Sequence, residues 1–254
     1  MKVLFVGDIH NHQYMFNDIA RLDTEYHFDK IILFGDYVDD WNTNNHDSLK
    51  TLEMIFNLKQ DESDKYILLL GNHELSYLGY ICSGHCFELD NVVNQKLLDN
   101  WDKLNLYYEV KLNDRIYICS HAGITKTYLE LELKPLEKDY RVALDIIHKE
   151  KILWYLKLCS RMRGGDSLYS SLLWADKQEH YNLLDFNEVT NENKHQIIGH
   201  SPVKQITNYK DDDNSGNLKY DYWFIDTHST YSDGTPYGNK SYLMWNENKF
   251  EILY

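Results

Sequence analysis

Short apolar runs alternate with amphipathic stretches through the first 75 residues of the chain. Residues 3–6, 31–34 and 66–70 are continuous runs of Val, Ile, Leu, Phe and Tyr, too short to build a helix face, and they predict buried strands. Between them, residues 14–22 and 49–58 space their apolar side chains at helical intervals. This strand–helix–strand alternation predicts βαβ units in a mostly parallel sheet covered on both faces. Helical periodicity returns at 92–104 and 142–158, with strand-like segments at 107–111 and 115–119 between them. Beyond Arg163-Gly164-Gly165 the pattern shortens to strands at 196–198, 205–209, 221–225, 241–245 and 249–253, with a polar, Gly-containing turn at 211–217. With three Pro and no repeat, nothing marks a linker, and the expectation is one domain over residues 1–254 with a more helical insert at about 75–170.

The chemistry stands at the ends of the apolar runs. Val3–Val6 leads into Gly7-Asp8-Ile9-His10, residues 31–34 into Gly35-Asp36 with Asp39 three residues on, and residues 67–70 into Gly71-Asn72-His73-Glu74. Ile116–Cys119 leads into Ser120-His121-Ala122-Gly123, and Ile197-Ile198 into Gly199-His200-Ser201-Pro202. A single Asp after a strand is readily explained as a helix N-cap, and a single His as a turn residue. Capping does not select His10, Asn72, His121 and His200 together. The carboxyl edge of an α/β sheet is where ligands bind, and a mixed carboxylate, amide and imidazole set suits divalent metal ions. Asp8 and His10, at i and i+2, project to one side of an extended strand end and can chelate one ion. The two oxygens of Asp36 can bridge a pair of ions about 3.5–4 Å apart.

Charge narrows the partners. Forty acidic against 26 basic residues give a formal net charge of -14, so a broad grip on duplex nucleic acid is not expected. No apolar run reaches the roughly 20 residues that cross a bilayer, and the N-terminus has no secretory h-region. Cys82, Cys86, Cys119 and Cys159 form no disulfide framework, and Cys82-Ser83-Gly84-His85-Cys86 lacks the second pair of a zinc-finger site. These features predict a cytoplasmic protein without a membrane partner.

The five strand-end blocks resemble those of the calcineurin-like metallophosphoesterases, in particular the branch of serine/threonine phosphoprotein phosphatases and symmetrical diadenosine tetraphosphate hydrolases. They occur in that family's order across most of the chain. The resemblance implies an α/β fold (α+β by some schemes), a four-layer αββα sandwich. It implies two divalent ions, Mn²⁺ foremost with Fe or Zn²⁺ as alternatives. Asp8, His10 and Asp36 would hold the first ion, and Asp36, Asn72, His121 and His200 the second. It further implies in-line attack of a metal-bridging hydroxide on a phosphate ester, with His73 as general acid oriented by Asp39. Pro202, standing where other members place a second His, favours the phosphatase-like branch.

Two departures bear on substrate. Asp40-Trp41 stands where phosphoprotein phosphatases carry Arg-Gly, which removes a bidentate phosphate clamp. Asn11 replaces a Gly. Arg161 and Arg163, two of only five arginines, are the nearest replacement clamp, with a solvated helix terminus as their alternative reading. Asp40 could face the substrate and penalise a dianionic monoester, or turn away as a cap. Leu172-Leu173-Trp174-Ala175-Asp176 resembles the family's stretch near the substrate cleft, and His228 follows a further strand. Glu74 is read equally as a site residue or a first-turn helix acid. The substrate is expected to be a phosphorylated small molecule, a nucleotide or a phosphoprotein. A nucleotide or dinucleoside polyphosphate hydrolase or phosphodiesterase is the enzymatic alternative, and a catalytically dead binding scaffold the non-enzymatic one.

Overall fold

The computed structural model describes residues 1–41, 43–80, 90–181, 194–212 and 218–254. The early runs become β1 (Lys2–Val6), β2 (Lys30–Leu33) and β3 (Tyr66–Leu69), separated by α1 (Tyr14–Tyr26) and α2 (Asn45–Asp61). After α3 (Asn72–Tyr77) and α4 (Asn91–Asp99) come β4 (Leu104–Asn105), β5 (Tyr108–Leu112) and β6 (Arg115–Ser120). Helical turns α5 (Lys126–Tyr128) and α6 (Lys134–Leu136) flank a π-helical turn at Leu129–Leu133, followed by α7 (Tyr140–Lys149) and α8 (Lys177–Tyr181). The chain finishes with β7 (Lys194–Ile198), β8 (Thr207–Asp212), β9 (Leu218–Phe224), β10 (Tyr242–Asn246) and β11 (Lys249–Leu253).

Two mixed sheets result. The first runs β11-β10-β1-β2-β3-β4 and the second β5-β6-β7-β9-β8. In the first, β1, β2, β3 and β4 run parallel to the β4 edge and antiparallel β10 and β11 close the other; in the second, β6, β7 and β9 are parallel and antiparallel β5 and β8 close both edges. Period-two alternation explains why the central strands read as unbroken apolar runs, since both faces are buried. Val3, Phe5, Ile32, Phe34 and Leu69 meet Tyr117, Cys119, Ile197 and Ile225 in the layer between the sheets. Leu4, Val6, Ile31, Leu33 and Leu68 face the other way, onto Met15, Ile19, Leu52 and Ile55 of α1 and α2. Ile198, Tyr222 and Phe224 lie on the outer face of the second sheet. Helices, two sheets and helices make the αββα sandwich.

Two helix expectations are shortened. The stretch at 92–104 stops at Asp99; a 3-10 turn follows at Trp101–Lys103, and Leu104 already pairs with Leu68 in β4. The stretch at 142–158 ends with α7 at Lys149, because Lys151 takes a left-handed backbone (φ 51°) and only a 3-10 turn follows at Leu153–Tyr155. Of the turn at 211–217, Asp211 and Asp212 extend β8, and the remainder lies outside the described residues. The Cys82–Cys86 motif also lies outside them. Among the described residues no helix is long and apolar enough to cross a membrane.

Candidate metal centre

Five backbone positions at the strand ends adopt the left-handed conformation without being glycine: His10 (φ 45°), Asn11 (61°), Asp36 (46°), Asp39 (64°) and His200 (57°). Such conformations cost of order 1–3 kcal/mol each and persist where surrounding structure over-determines them, characteristically at functional sites. Asn is among the residues that tolerate this region best, which explains Asn11 where the resembling family has Gly. Its buried amide also contacts Thr43 Oγ1 (2.9 Å) and Ser48 Oγ (3.0 Å), tying the β1 loop to α2.

Glu74 holds the loop after β2. Its Oε2 accepts the N–H groups of Gly71 and Asp36 at 3.0 Å, and its Oε1 those of Tyr37 (2.8 Å) and Val38 (3.2 Å). One fully buried carboxylate thus satisfies four backbone donors and sets the direction of Asp36. Burial and the adjacent Asp36 push the Glu74 carboxyl up to about 7, against the pull of His73, His121 and the backbone donors. A Cβ on Gly71 would overlap Asp36 N and Oδ1, so only glycine lets β3 end this close to the carboxylate.

The side chains converge on Asp36. Its Oδ2 lies 3.8 Å from both His10 Nε2 and His73 Nε2, and its Oδ1 lies 3.4 Å from His121 Nε2. Asp8 Oδ2 is 3.9 Å from His10 Nε2, and Asn72 Oδ1 is 2.8 Å from His121 Nε2. Among the described residues, two sets of donor atoms are close enough to hold an ion, His10 with Asp36 and His73, and Asp36 with His121 and His200. Outer contacts orient the rings. His10 Nδ1 meets the Asp39 carbonyl at 2.8 Å and His121 Nδ1 the Phe34 carbonyl at 2.6 Å, so each ring donates there and points its Nε2 inward. His121 Nε2 and His200 Nδ1 then stand 3.2 Å apart, and His200 Nε2 is buried without a partner. Inward-pointing imidazole nitrogens beside carboxylates suit a cation site, and the donor set fits divalent metal.

Protonation preferences divide the rings. Burial and neighbouring His73 lower His10, while burial with Arg163 and His121 holds His200 well below the usual range, so both favour the neutral, ligating ring. Burial opposes charge on Asp36, yet His121, His73 and His10 outweigh it and keep its carboxyl well below normal. Burial likewise opposes charge on His121, but Asp36 and Asp8 push it up to about 9. Asp8, raised by burial and by Asp226, has one oxygen fixed by the His200 N–H at 3.0 Å.

Beside this cluster opens a cavity of about 310 Å³ lined by His73, Asp39, Asp40, Arg163, Trp174 and His200 among others. His73 Nδ1 is 3.4 Å from Asp39 Oδ2, and Tyr77 donates its hydroxyl to Asp39 Oδ1 at 2.7 Å. Burial works against the His73 imidazolium, but Asp36 and Asp39 raise its pKa above the ordinary value. Arg163 donates Nη2–H to Ser201 Oγ (2.7 Å), and its Nε stands 2.9 Å from Asp176 Oδ2. Of the two arginines expected near the substrate, Arg163 lines the cavity, and Arg161 is exposed and does not. Asp40 lines the cavity, but its carboxylate accepts from Trp41 N (2.8 Å) and Thr230 Oγ1 (2.9 Å) and meets His12 Nε2 at 3.0 Å. His228 is buried behind the cavity, with Nδ1 3.2 Å from the Tyr14 hydroxyl. Ser229, Thr230 and Trp41 line the wall, and buried Asp226 supports it by accepting from Ser229 Oγ at 2.7 Å. Asp226 follows an apolar strand, the one sequence signal by which it could have been found.

A sandwich with His, Asp and Asn gathered at the carboxyl ends of both sheets defines a metal-dependent hydrolase. The model of the calcineurin-like phosphoesterase family matches residues 1–229, and the chain belongs to that family. No curated protein sequence matches it. Among solved structures, it is similar to a protein serine/threonine phosphatase from Saccharomyces cerevisiae at 15% identity and TM-score 0.54, covering 100% of this chain and 79% of that one. A mutant cold-active protein tyrosine phosphatase is similar at 17% identity and TM-score 0.52, over 100% and 80%. At these identities the likeness speaks for the fold alone. The chain is a metal-dependent phosphoester hydrolase.

Proposed function

We propose that the chain is a dinuclear phosphoesterase of the phosphatase-like branch, acting in the cytoplasm on small phosphorylated molecules or nucleotides, with phosphoproteins as the alternative. Asp8, His10 and Asp36 would hold one ion, and Asp36, Asn72, His121 and His200 the other, with Mn²⁺ the leading metal. The observation that carries this reading is the placement of Asp36, whose two oxygens face opposite halves of the donor cluster. Two bound divalent ions would supply a water acidified toward neutral pH and positive charge over the phosphoryl oxygens. Arg163, fixed by Ser201 and Asp176, would draw the substrate phosphate into the cavity. His73, whose pKa Asp36 and Asp39 raise against the effect of burial, would give its proton to the departing ester oxygen. Asp39 is its orienting partner, itself held by Tyr77. The two described cysteines, Cys119 and Cys159, are buried, and the cytoplasmic reading takes them as core thiols.

The test is a Mn²⁺-reconstituted screen of phosphomonoesters, phosphodiesters, nucleotides, dinucleoside polyphosphates and phosphopeptides, read beside bound metal per chain. Two ions with turnover of at least one class is the expected result. Metal-loaded protein inert toward all of them would make it a binding scaffold.

A further inference from the structure

Trp41 is 62% exposed and lines the mouth of the catalytic cavity. Single exposed aromatics are common on protein surfaces and by themselves mean little. This one is fixed in place by a closed ring of hydrogen bonds. Its indole N–H reaches the Thr230 carbonyl (3.3 Å), its backbone N–H goes to Asp40 Oδ1 (2.8 Å), and Thr230 Oγ1 donates to the same Oδ1 (2.9 Å). Asp40 is steadied in turn by His12 Nε2 (3.0 Å) and by Thr43 Oγ1, which accepts its backbone N–H at 2.9 Å. Two loops distant in sequence are thereby bracketed so that a flat indole stands at the rim.

We propose that Trp41 is a stacking shelf for a planar aromatic group in the organic part of the substrate, either an aryl ring or a nucleobase. The inference rests on the phosphoesterase reading of the site and names its substrate class. The inner cavity, with its carboxylates, imidazoles and Arg163, suits the phosphate and offers little to a ring. Trp174, the other indole lining the cavity, is 1% exposed and has no face to spare. Trp41 supplies the wide, rigid apolar surface on which flat rings stack. The Asp40 carboxylate at the base of the shelf disfavours a second phosphate there, so the neighbour of Trp41 is the ring. On this account Asp40-Trp41 is a coupled pair: Asp40 is a positioning residue for Trp41, and its three donors hold it in place.

The experiment compares Mn²⁺-loaded wild type with Trp41→Ala, Trp41→Phe and Asp40→Ala. Calorimetry gives affinities for phenylphosphonate and methylphosphonate, which need no turnover. Kinetics give kcat and KM on phenyl phosphate, AMP and glycerol 2-phosphate, with phenyl phosphate and AMP separating an aryl from a nucleobase substrate. In Trp41→Ala the preference for aromatic over aliphatic ligands should fall about three- to tenfold, chiefly through KM. Trp41→Phe should restore most of it, and Asp40→Ala should lose part of it. An unchanged aromatic-to-aliphatic ratio in Trp41→Ala, for both phosphonates and esters, would overturn the shelf. An inert wild type that still prefers phenylphosphonate through Trp41 would overturn the phosphoesterase reading and leave the shelf standing.

Discussion

The same parallel strands end in very different chemistry at their two ends. At the carboxyl edge, a cavity of about 310 Å³ holds converging carboxylates and imidazoles on left-handed backbone. At the opposite edge, a larger cavity of about 510 Å³ opens between the sheets, walled by Tyr117, Trp223, Trp245 and Phe250. The buried carboxylate there, Asp221, accepts from the Tyr117 hydroxyl at 2.6 Å and from the Asn208 amide. Asp221 is neutral in its consequences because hydrogen-bond donors satisfy it. Asp36 lies within 3.8 Å of three imidazole nitrogens, and its carboxylate belongs to both groups of side chains placed to hold an ion. Volume does not locate the chemistry; unsatisfied, converging ligand atoms do.

The widest separation of the two ends is expected from their carboxylates. Asp36→Asn should lose both ions and drop activity to background, because the amide offers one oxygen where two are needed. Asp221→Asn should leave metal content and turnover intact while costing about 1–2 kcal/mol of stability. Metal analysis, kinetics and denaturant melts on the pair decide whether the distinction holds. Next in size, His73→Asn should keep its metals and lose about 10²–10⁴-fold on esters with poor leaving groups, and far less on p-nitrophenyl phosphate. Equal losses on both substrates would give His73 a structural role.

The strand-end residues were legible because their signal is local: an apolar run sets the strand, and the next polar residue is delivered to its edge. Asp8, His10, Asp36, Asn72, His121 and His200 all reach one cluster on that basis. Roles that depend on partners remote in the chain were not legible. Glu74 reads as a helix acid until its four backbone donors from two loops are seen. Arg161 and Arg163 look alike in sequence, yet the 3-10 turn that carries both sends one to the cavity and the other to solvent. The helical turns from 126 to 136 were missed because short turns separated by a π-helical segment present no sustained period.

Smaller effects sharpen the contrast. Glu74→Gln should destabilise the fold by about 2–3 kcal/mol, since an amide nitrogen would confront backbone N–H groups, and should weaken metal retention through Asp36. A thermal melt that barely moves would remove Glu74 from the account. Between the sheets, burial lowers the pKa of His195 to about 4, so the folded ring stays neutral where the unfolded one charges. Its contribution is therefore full above about pH 6.5 and is lost as pH falls toward 4, by at most about 3 kcal/mol. His195→Phe should flatten the stability profile in that window without changing metal content. An identical slope in wild type and variant would contradict the assignment.

The central claim is that Asp36 joins two metal ions at the carboxyl edge of both sheets. Anomalous diffraction from crystals of the Mn²⁺-loaded chain tests it most directly. Two peaks flanking the Asp36 carboxylate are predicted, one on the Asp8 and His10 side and one among Asn72, His121 and His200. A single peak, or peaks away from Asp36, would contradict it.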